Sequence, residues 1–455
     1  MRLSLDGFRA GLHPGTTYRV AFSGGLDSAV LLDLMCEVRR VSGIRLSAVH
    51  VHHGILPAAD AWSRHCAAVA KEYGVALDIL RVDGRPGPGE SPEAAARNAR
   101  YRSLEALLNP GDILVTAQHL DDQAETLLLQ LLRGAGLAGL AAMPKAAPFG
   151  PGILHRPLLR YGRRDILAYA RNKSLRWIED PSNRDEHYDR NFIRRRIMPE
   201  LAVRWPAVAA NLARSAGHCA EAAGLLDKQA DILLATATAA DEPGSLDVGA
   251  VQRLHPDEQR LLLRRWIRKR GLRVPPAKLL DRIRRELIET AAEHAPAIAW
   301  TEGTVRRYRH RLYLLPLAAD FDASWTAAWS GETPLTLAGN GGLDAALRPG
   351  PGIDPDKWRS GCITVRYRRA GDRLEPAGRK GHHELKKLFQ EAGLPPWLRD
   401  RQPIVCIDGR IAAIGGSRWL ASEFAGCPEG VNIVVRWTPE PVMDRRNGSD
   451  AATQP

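Results

Sequence analysis

Over the first 200 residues, short apolar runs alternate with longer segments whose apolar positions recur at helical spacing. Residues 18–22 are apolar and end at Ser23-Gly24-Gly25, and 29–38 then reads as a helix. Stretches 46–51 and 75–82 are further strand candidates, separated by a helical pattern over 57–73 that stops at Gly74. The Gly- and Pro-rich stretch 84–89 is expected to be a surface loop. Ser91-Pro92 then opens a helix, with Ser as N-cap and Pro in the first position. A fourth strand is expected at 113–117 and a helix at 121–133, closed by Gly134. Strands alternating with helices of this length predict an α/β domain with a Rossmann-like parallel sheet, covered on both faces. In such sheets ligands bind beyond the C-terminal ends of the strands.

The pattern changes after about residue 210. Residues 211–238 are rich in Ala and Leu and read as helix, broken at 241–245. Residues 257–288 read as one helical, basic segment, with eleven Lys or Arg over 258–285 against Glu258 and Asp281. Turn-rich sequence follows at 316–356. Residues 363–435 mix short β-like runs with one helix near 384–392. The expected organisation is an N-terminal domain at 1–210, a helical basic domain at 211–320 and a linker at 321–356. A small α+β domain at 357–440 and a disordered tail at 441–455 complete it.

The length of 455 residues fits several domains. Hydrophobic content of 44% and charged content of 25% are ordinary for a globular chain. The net charge of +12, from 64 basic and 52 acidic residues, suits a polyanionic partner, and suits plain solubility equally well. None of the 6 cysteines forms a C-x-x-C pair, which argues against a zinc ribbon, an iron–sulfur site or a thioredoxin-like motif. Scattered single cysteines fit a reducing, cytoplasmic setting. Residues 1–13 lack the apolar stretch of a signal peptide, and no run approaches the ~18 apolar residues that span a bilayer, so no membrane is expected.

Candidate chemistry concentrates at two strand ends. Ser23-Gly24-Gly25-Leu26-Asp27-Ser28 lies between a strand and a helix. Paired glycines let the backbone approach a ligand, and the N–H groups opening the helix favour an anion. Ser23 and Ser28 add hydroxyl donors. Asp27 would repel a phosphate, so its expected job is to hold Mg²⁺ bridging phosphate oxygens. The loop lacks the G-x-x-x-x-G-K-[ST] of a Walker A site. After the fourth strand, Asp122 and Glu125 stand three apart and share a helix face. They suit Mg²⁺ or an ammonium group; as helix-opening acids they would also offset the dipole, the role expected of Asp121. Glu93, Arg97 and Arg100-Tyr101 recur at about four-residue spacing, which alone reads as ion pairing on a solvated face. His50, His52 and His53 read as strand-end residues near the nucleotide.

The hexapeptide at 23–28 resembles the loop of the PP-loop ATP pyrophosphatases, and further motifs narrow the likeness. V-H-V-H-H-G-I-L at 49–56, Glu93 with Ala96-Arg97 and Arg100-Tyr101, and Q-H-L-D-D-Q-A-E-T at 118–126 are similar to the tRNA(Ile)-lysidine synthetases. So are Arg133-Gly134-Ala135-Gly136-Leu137, Gly139-Leu140, Arg156-Pro157-Leu158-Leu159, Trp177, Asp180, Asn183 and Arg190-Asn191-Phe192-Ile193-Arg194. Near the C-terminus, Arg369-Ala370-Gly371-Asp372-Arg373 and Leu385-Lys386-Lys387-Leu388-Phe389-Gln390 also resemble that family. Gln118 departs from it, since many members have His there.

The resemblance implies that ATP adenylates the C2 oxygen of the wobble cytidine in a tRNA(Ile) with a CAU anticodon, releasing pyrophosphate. Free L-lysine then displaces AMP to form lysidine, which pairs with adenine instead of guanine. It implies ATP and Mg²⁺ as cofactors, with ATP on Ser23 to Ser28. Asp27, Asp122, Glu125 and Arg194 become the catalytic candidates. His119, Arg97, Arg100, Asn191, Arg265, Arg268, Lys386 and Lys387 become candidates for holding lysine or tRNA. The middle and last domains would contact tRNA, and a homodimer is left open. Rival readings are a tRNA thiolase, which usually needs paired cysteines, a small-molecule amidating ligase, and a non-enzymatic RNA-binding scaffold.

Overall fold

The computed structural model describes residues 3–52, 59–83, 92–180, 185–239, 242, 244–290, 297–316 and 322–438. The expected loop at 84–89, Ser91, His53, Asn183, the Glu93 side chain and the tail at 441–455 lie outside the described residues. The described chain divides into two compact units.

In the first unit, residues 1–230, helix α1 (Leu5–Arg9) precedes β1 (Thr17–Ala21), α2 (Leu26–Ser42), β2 (Arg45–His52), α3 (Ala59–Glu72) and β3 (Ala76–Arg81). Then come α4 (Pro92–Ala106), β4 (Ile113–Val115), α5 (Leu120–Leu132), α6 (Leu137–Leu140), the hairpin β5 (Ala146–Phe149) and β6 (Gly152–His155), and α7 (Arg163–Asn172). The sheet order is β3-β2-β1-β4-β6-β5, parallel throughout except for the β5–β6 hairpin. Helix α2 is buried on every face from Ser28 to Cys36, so its apolar residues run nearly unbroken. The winding reverses at β1, which pairs with β2 on one side and β4 on the other. This switch point opens a crevice beyond the C-terminal ends of β1 and β4. Both sequence-derived motifs follow those two strands. The unit ends with α8 (Asp189–Phe192), a π-helical turn (Ile193–Ile197), α9 (Met198–Arg204) and most of α10 (Val208–Ala237).

The second unit spans residues 231–444. Its first part holds β7 (Leu246–Asp247), α11 (Val248–Gln252), α12 (Pro256–Lys269), and α13 (Ala277–Arg282) running into a second π-helical turn (Ile283–Glu289). Strands β8 (Ile298–Trp300), β9 (Gly303–Tyr308) and β10 (Arg311–Pro316) join β7 in an antiparallel sheet of order β7-β10-β9-β8. Two expectations are corrected here. The stretch 257–288 is two helical segments, because Gly271 takes φ +70° and Pro275-Pro276 cannot continue α12. The middle region is also not all helical, since its apolar β positions pack on the helices through Val305 and Leu312.

The rest of the unit contains β11 (Thr326–Ala328), β12 (Leu335–Leu337), β13 (Gly341–Pro349), α14 (Pro355–Ser360), β14 (Ile363–Arg366), β15 (Arg373–Leu374) and β16 (His383–Glu384). It continues with α15 (Leu385–Glu391), α16 (Pro396–Arg399), β17 (Ile404–Ile407), β18 (Arg410–Ile414), β19 (Trp419–Leu420) and β20 (Val431–Thr438). The stretch 321–356, expected to be a linker, is built into these sheets instead. Strand β13 pairs with β20 over eight positions, from Gly342↔Thr438 to Pro349↔Val431, and β11 pairs with β14. No helix among the described residues is long and apolar enough to cross a membrane.

Candidate active site

The loop after β1 is shaped by what lies beneath it. Gly24 takes φ +82°, and a Cβ there would come within 3.0 Å of Cys66 Sγ and 3.4 Å of Ile178 Cδ1. Glycine is therefore required twice, by conformation and by space. The Gly24 carbonyl accepts from the Ile178 N–H at 2.9 Å. His50 Nδ1, 2.9 Å from the Phe22 carbonyl, braces the preceding residue, with Cys66 Sγ 3.4 Å from the same ring nitrogen. Burial depresses the His50 pKa, which favours the neutral ring with Nδ1 donating. Ser28 donates to the Gly25 carbonyl at 2.9 Å, and Ser23 and Ser28 hydroxyls lie 3.1 Å apart. Gly25 is the N-cap of α2 and supplies no side chain to its first amides, so they open toward an anion.

Across the switch point, α5 starts at the end of β4. Asp122 accepts from the His119 N–H at 3.0 Å, closing the first turn. Asp122 and Glu125 do share a face, and both are buried. Two guanidiniums meet them. Arg194 reaches Asp122 Oδ1 at 2.6 Å and Glu125 Oε1 and Oε2 at 2.7 and 2.8 Å. Arg190 reaches Asp122 Oδ1 and Glu125 Oε2, each at 3.1 Å. The i,i+4 spacing puts both arginines on one helical face, and they come from α8 and the π-helical turn. Burial alone would raise the Asp122 pKa, but His119, Arg190 and Arg194 outweigh it and hold the carboxylate low. Glu125, Asp122 and Asp27 in turn raise the pKa of Arg194 despite its burial.

His119 links the two halves. Its ring is 1% exposed, with Nε2 3.4 Å from Asp122 and 3.8 Å from Asp27 Oδ1. Burial opposes its protonation, and Asp122, Asp121 and Asp27 reverse that, raising its pKa. Asp27 Oδ1 and both His119 ring nitrogens are buried without a hydrogen-bond partner among the described residues. Asp27 is partly buried in the first turn of α2, and burial pushes its pKa up despite His119. An unpaired carboxylate oxygen beside an open phosphate loop fits Mg²⁺, which takes one or two carboxylates and fills its shell from phosphates and water.

The remaining candidates separate. The Arg97 and Arg100 guanidiniums lie 5.2 and 5.6 Å from the Tyr101 ring centroid. Tyr101 is buried; burial pushes its hydroxyl up, and Arg97, Arg100 and Arg156 together bring it down. Asp121 does not simply compensate its own helix, because it accepts from the Arg163 N–H at 2.7 Å and caps α7. Asn191 donates to the Asp185 carbonyl at 2.8 Å and braces a turn. Its neighbour Arg190, not among the site candidates, enters the site, and its i,i+4 spacing to Arg194 is the sequence signal for it. Gln118 is bonded to Thr116.

Candidate tRNA contacts in the second unit also divide. Arg265 binds Asp231 at 2.7 and 2.9 Å, and Lys269 joins the same carboxylate. Arg268 is half-buried on that helix. Arg366 is buried and bidentate to Asp372, both contacts 2.8 Å. Lys386 and Lys387 are exposed on α15.

Comparison with known proteins is consistent along the chain. Residues 9–201 match the PP-loop domain family, 246–313 the TilS substrate binding domain, and 363–437 the TilS substrate C-terminal domain. The chain is 84% identical over 439 residues to the tRNA(Ile)-lysidine synthase of Methylococcus capsulatus (strain Bath), covering 96% of this chain and 100% of that protein. The tRNA(Ile)-lysidine synthase of Alkalilimnicola ehrlichii is 43% identical over 407 residues, covering 89% and 90%. That of Coxiella burnetii is 39% identical over 427 residues, covering 93% and 94%. With its phosphate loop and its paired carboxylates meeting at one switch point, the chain belongs to the tRNA(Ile)-lysidine synthase family of ATP-using PP-loop enzymes.

Proposed function

We propose that this chain joins free L-lysine to C2 of the wobble cytidine in the CAU anticodon of a tRNA(Ile), in the cytoplasm. The observation that carries the reading is that Asp27 and Asp122, the latter sharing a helix face with Glu125, both face Nε2 of one buried histidine, beyond the ends of β1 and β4. The phosphate loop beside Asp27 suits nucleotide phosphates, and the Asp122–Glu125 pair suits an ammonium group.

The steps follow from these residues. The amides opening α2 and the hydroxyls of Ser23 and Ser28 receive the phosphates, with Gly24 allowing close backbone approach. Mg²⁺ on Asp27 Oδ1 would supply charge neutralisation as pyrophosphate departs. The cytidine C2 oxygen attacks the α-phosphorus, the bond to the β-phosphate oxygen breaks, and an adenylated base results. The lysine ε-ammonium gives a proton to the Asp122–Glu125 carboxylates, the free amine attacks C2, and the C2–O bond breaks as AMP leaves with that oxygen. Asp122 and Glu125 hold the incoming ammonium. Their present guanidinium partners make this an exchange: an ammonium must share or displace Arg190 or Arg194, which are then available to phosphate or adenylate oxygens. His119, whose Nε2 faces both Asp27 and Asp122, offsets the repulsion between the two acids. Lys386 and Lys387 suit tRNA phosphates.

The test is incubation with tRNA(Ile), labelled lysine and ATP, followed by mapping of the labelled nucleotide. Label at the wobble cytidine, dependent on ATP, is the expected result. Pyrophosphate release without tRNA, or no lysine in RNA, would overturn the reading in favour of a small-molecule ligase.

A further inference from the structure

The second unit contains a cavity of about 580 Å³ that the chemistry above does not use. Pockets of roughly 300–1,000 Å³ take a single ligand of drug size, and a nucleotide is such a ligand. Three aromatic side chains, Tyr308, Tyr313 and Trp437, line it together with Arg309, His310 and Arg418. It is walled on one side by the β9–β10 hairpin and on the other by the α15–α16 loop and the end of β20.

The walls are fixed in place. Tyr308 and Tyr313 stand edge-on to Trp397, with centroids 6.1 and 5.4 Å away, and the Tyr308 hydroxyl accepts from Arg399 at 3.3 Å. The Trp437 indole donates to the Asn340 carbonyl at 3.0 Å. The cations differ from most in this unit. Arg311 is matched by Glu242, but Arg309 meets a backbone carbonyl, that of Gln390, and Arg418 lies 4.7 Å from the centroid of the Trp419 ring. A carbonyl and a ring face leave the positive charge uncancelled. The hairpin turn adds a second observation. Tyr308 pairs directly with Arg311, so the turn is Arg309-His310, and Arg309 is held at φ +54°. Two-residue hairpins place Gly, Asn or Asp at such a position, and a bulky side chain there costs conformational energy. Backbone outliers of this kind cluster at ligand clamps.

The geometry points to a binding site for one unpaired nucleotide of the tRNA substrate, its base against the Tyr308, Tyr313 and Trp437 rings and its phosphate against Arg309 and Arg418. The inference rests on tRNA as substrate, and concerns a nucleotide other than the cytidine modified in the first unit. A duplex turns its bases inward and offers only backbone, so a pit walled by rings suits a base that has left the stack. Stacking on aromatic side chains with an arginine nearby is sequence-tolerant and strong enough to detect.

The test uses the full chain and intact tRNA, with Tyr308→Leu, Tyr308→Phe and Arg418→Ala variants. Losing a stacked base contact should weaken tRNA binding roughly 5- to 150-fold. Tyr308→Leu and Arg418→Ala should fall in that range, with Tyr308→Phe close to the parent. ATP affinity should be unchanged. Ultraviolet crosslinking of the parent complex should join the peptide around 308–313 or 437 to a nucleotide unpaired in the tRNA. Parental affinity in both losing variants, or a crosslink to a base-paired nucleotide, would overturn the proposal. These readouts are binding measurements, so they stand even if lysine fails to enter RNA, which would instead overturn the assigned reaction.

Discussion

At the residue scale, the site is a matched set of charges: two buried carboxylates, two guanidiniums and a histidine pulled toward its charged form. Such a set answers differently to each removal. Asp27 Oδ1 is buried without a hydrogen-bond partner, so removing it breaks no hydrogen bond at that atom and forfeits only a 3.8 Å contact with His119. Asp27→Ala should fold like the parent and abolish pyrophosphate release, checked by thermal unfolding beside ATP turnover; near-normal turnover would remove Asp27 from the metal site. Asp122 and Glu125 are bonded on every side. Asp122→Asn or Glu125→Gln should raise the lysine KM about 10- to 150-fold, the range for losing a charged hydrogen bond of roughly 1.5–3 kcal/mol, with the ATP KM little changed. Both should also lower the melting temperature, because Arg190 and Arg194 lose part of their counter-charge in a partly buried site. Kinetics with lysine varied at saturating ATP decide it. If lysine dependence is unchanged in both, these acids serve only to anchor the arginines.

At the scale of elements, position in the sheet does most of the explaining. The motifs at 23–28 and 118–126 are contiguous in sequence and sit at strand-to-helix junctions, so period and turn residues revealed them. The Arg190–Glu125 and Arg194–Asp122 pairs join residues 65 and 72 positions apart, and no local pattern encodes such contacts. The same reason hid β11 to β13. Their short runs are broken by Gly and Pro, and β13 makes sense only against β20, some ninety positions later. The break after α12, by contrast, is written in Gly271 and Pro275-Pro276, inside a long basic pattern that masks it. The loop itself yields a test that separates conformation from contact. Gly24→Ala adds both a left-handed alanine and a clash with Cys66, whereas Gly43→Ala, at φ +63°, adds only the first, since nothing lies within 4 Å of its Cβ. Gly43→Ala should lose about 1–2 kcal/mol of stability, and Gly24→Ala more. Only Gly24→Ala should also raise the ATP KM, by tenfold or more, as the loop shifts off its support. Equal ATP constants in the two variants would mean the loop tolerates displacement.

At the scale of the whole molecule, a net charge of +12 says little until each cation is assigned a partner. Much of the basic surface is spoken for: Arg265 and Lys269 by Asp231, Arg282 by Glu286, Arg366 by Asp372, Arg368 by Asp400. Lys386 and Lys387 stand differently. Helix α15 buries Leu385, Leu388 and Phe389, which leaves the two lysines exposed together. Counterion release makes log affinity fall with log salt by about 0.9 per phosphate contact on a duplex and about 0.7 on a single strand. Replacing both lysines by Ala should therefore weaken tRNA binding and flatten that slope by roughly 1–2 units, with ATP affinity unchanged. Arg265→Ala should leave the slope nearly as it was, because the change removes a cation already cancelled by Asp231. Salt titrations of the three proteins with one tRNA separate the possibilities. A parental slope in the double lysine variant would take α15 out of the interface. A flattened slope in Arg265→Ala would show that the Asp231 pair opens when RNA binds, and that α12 grips the backbone after all.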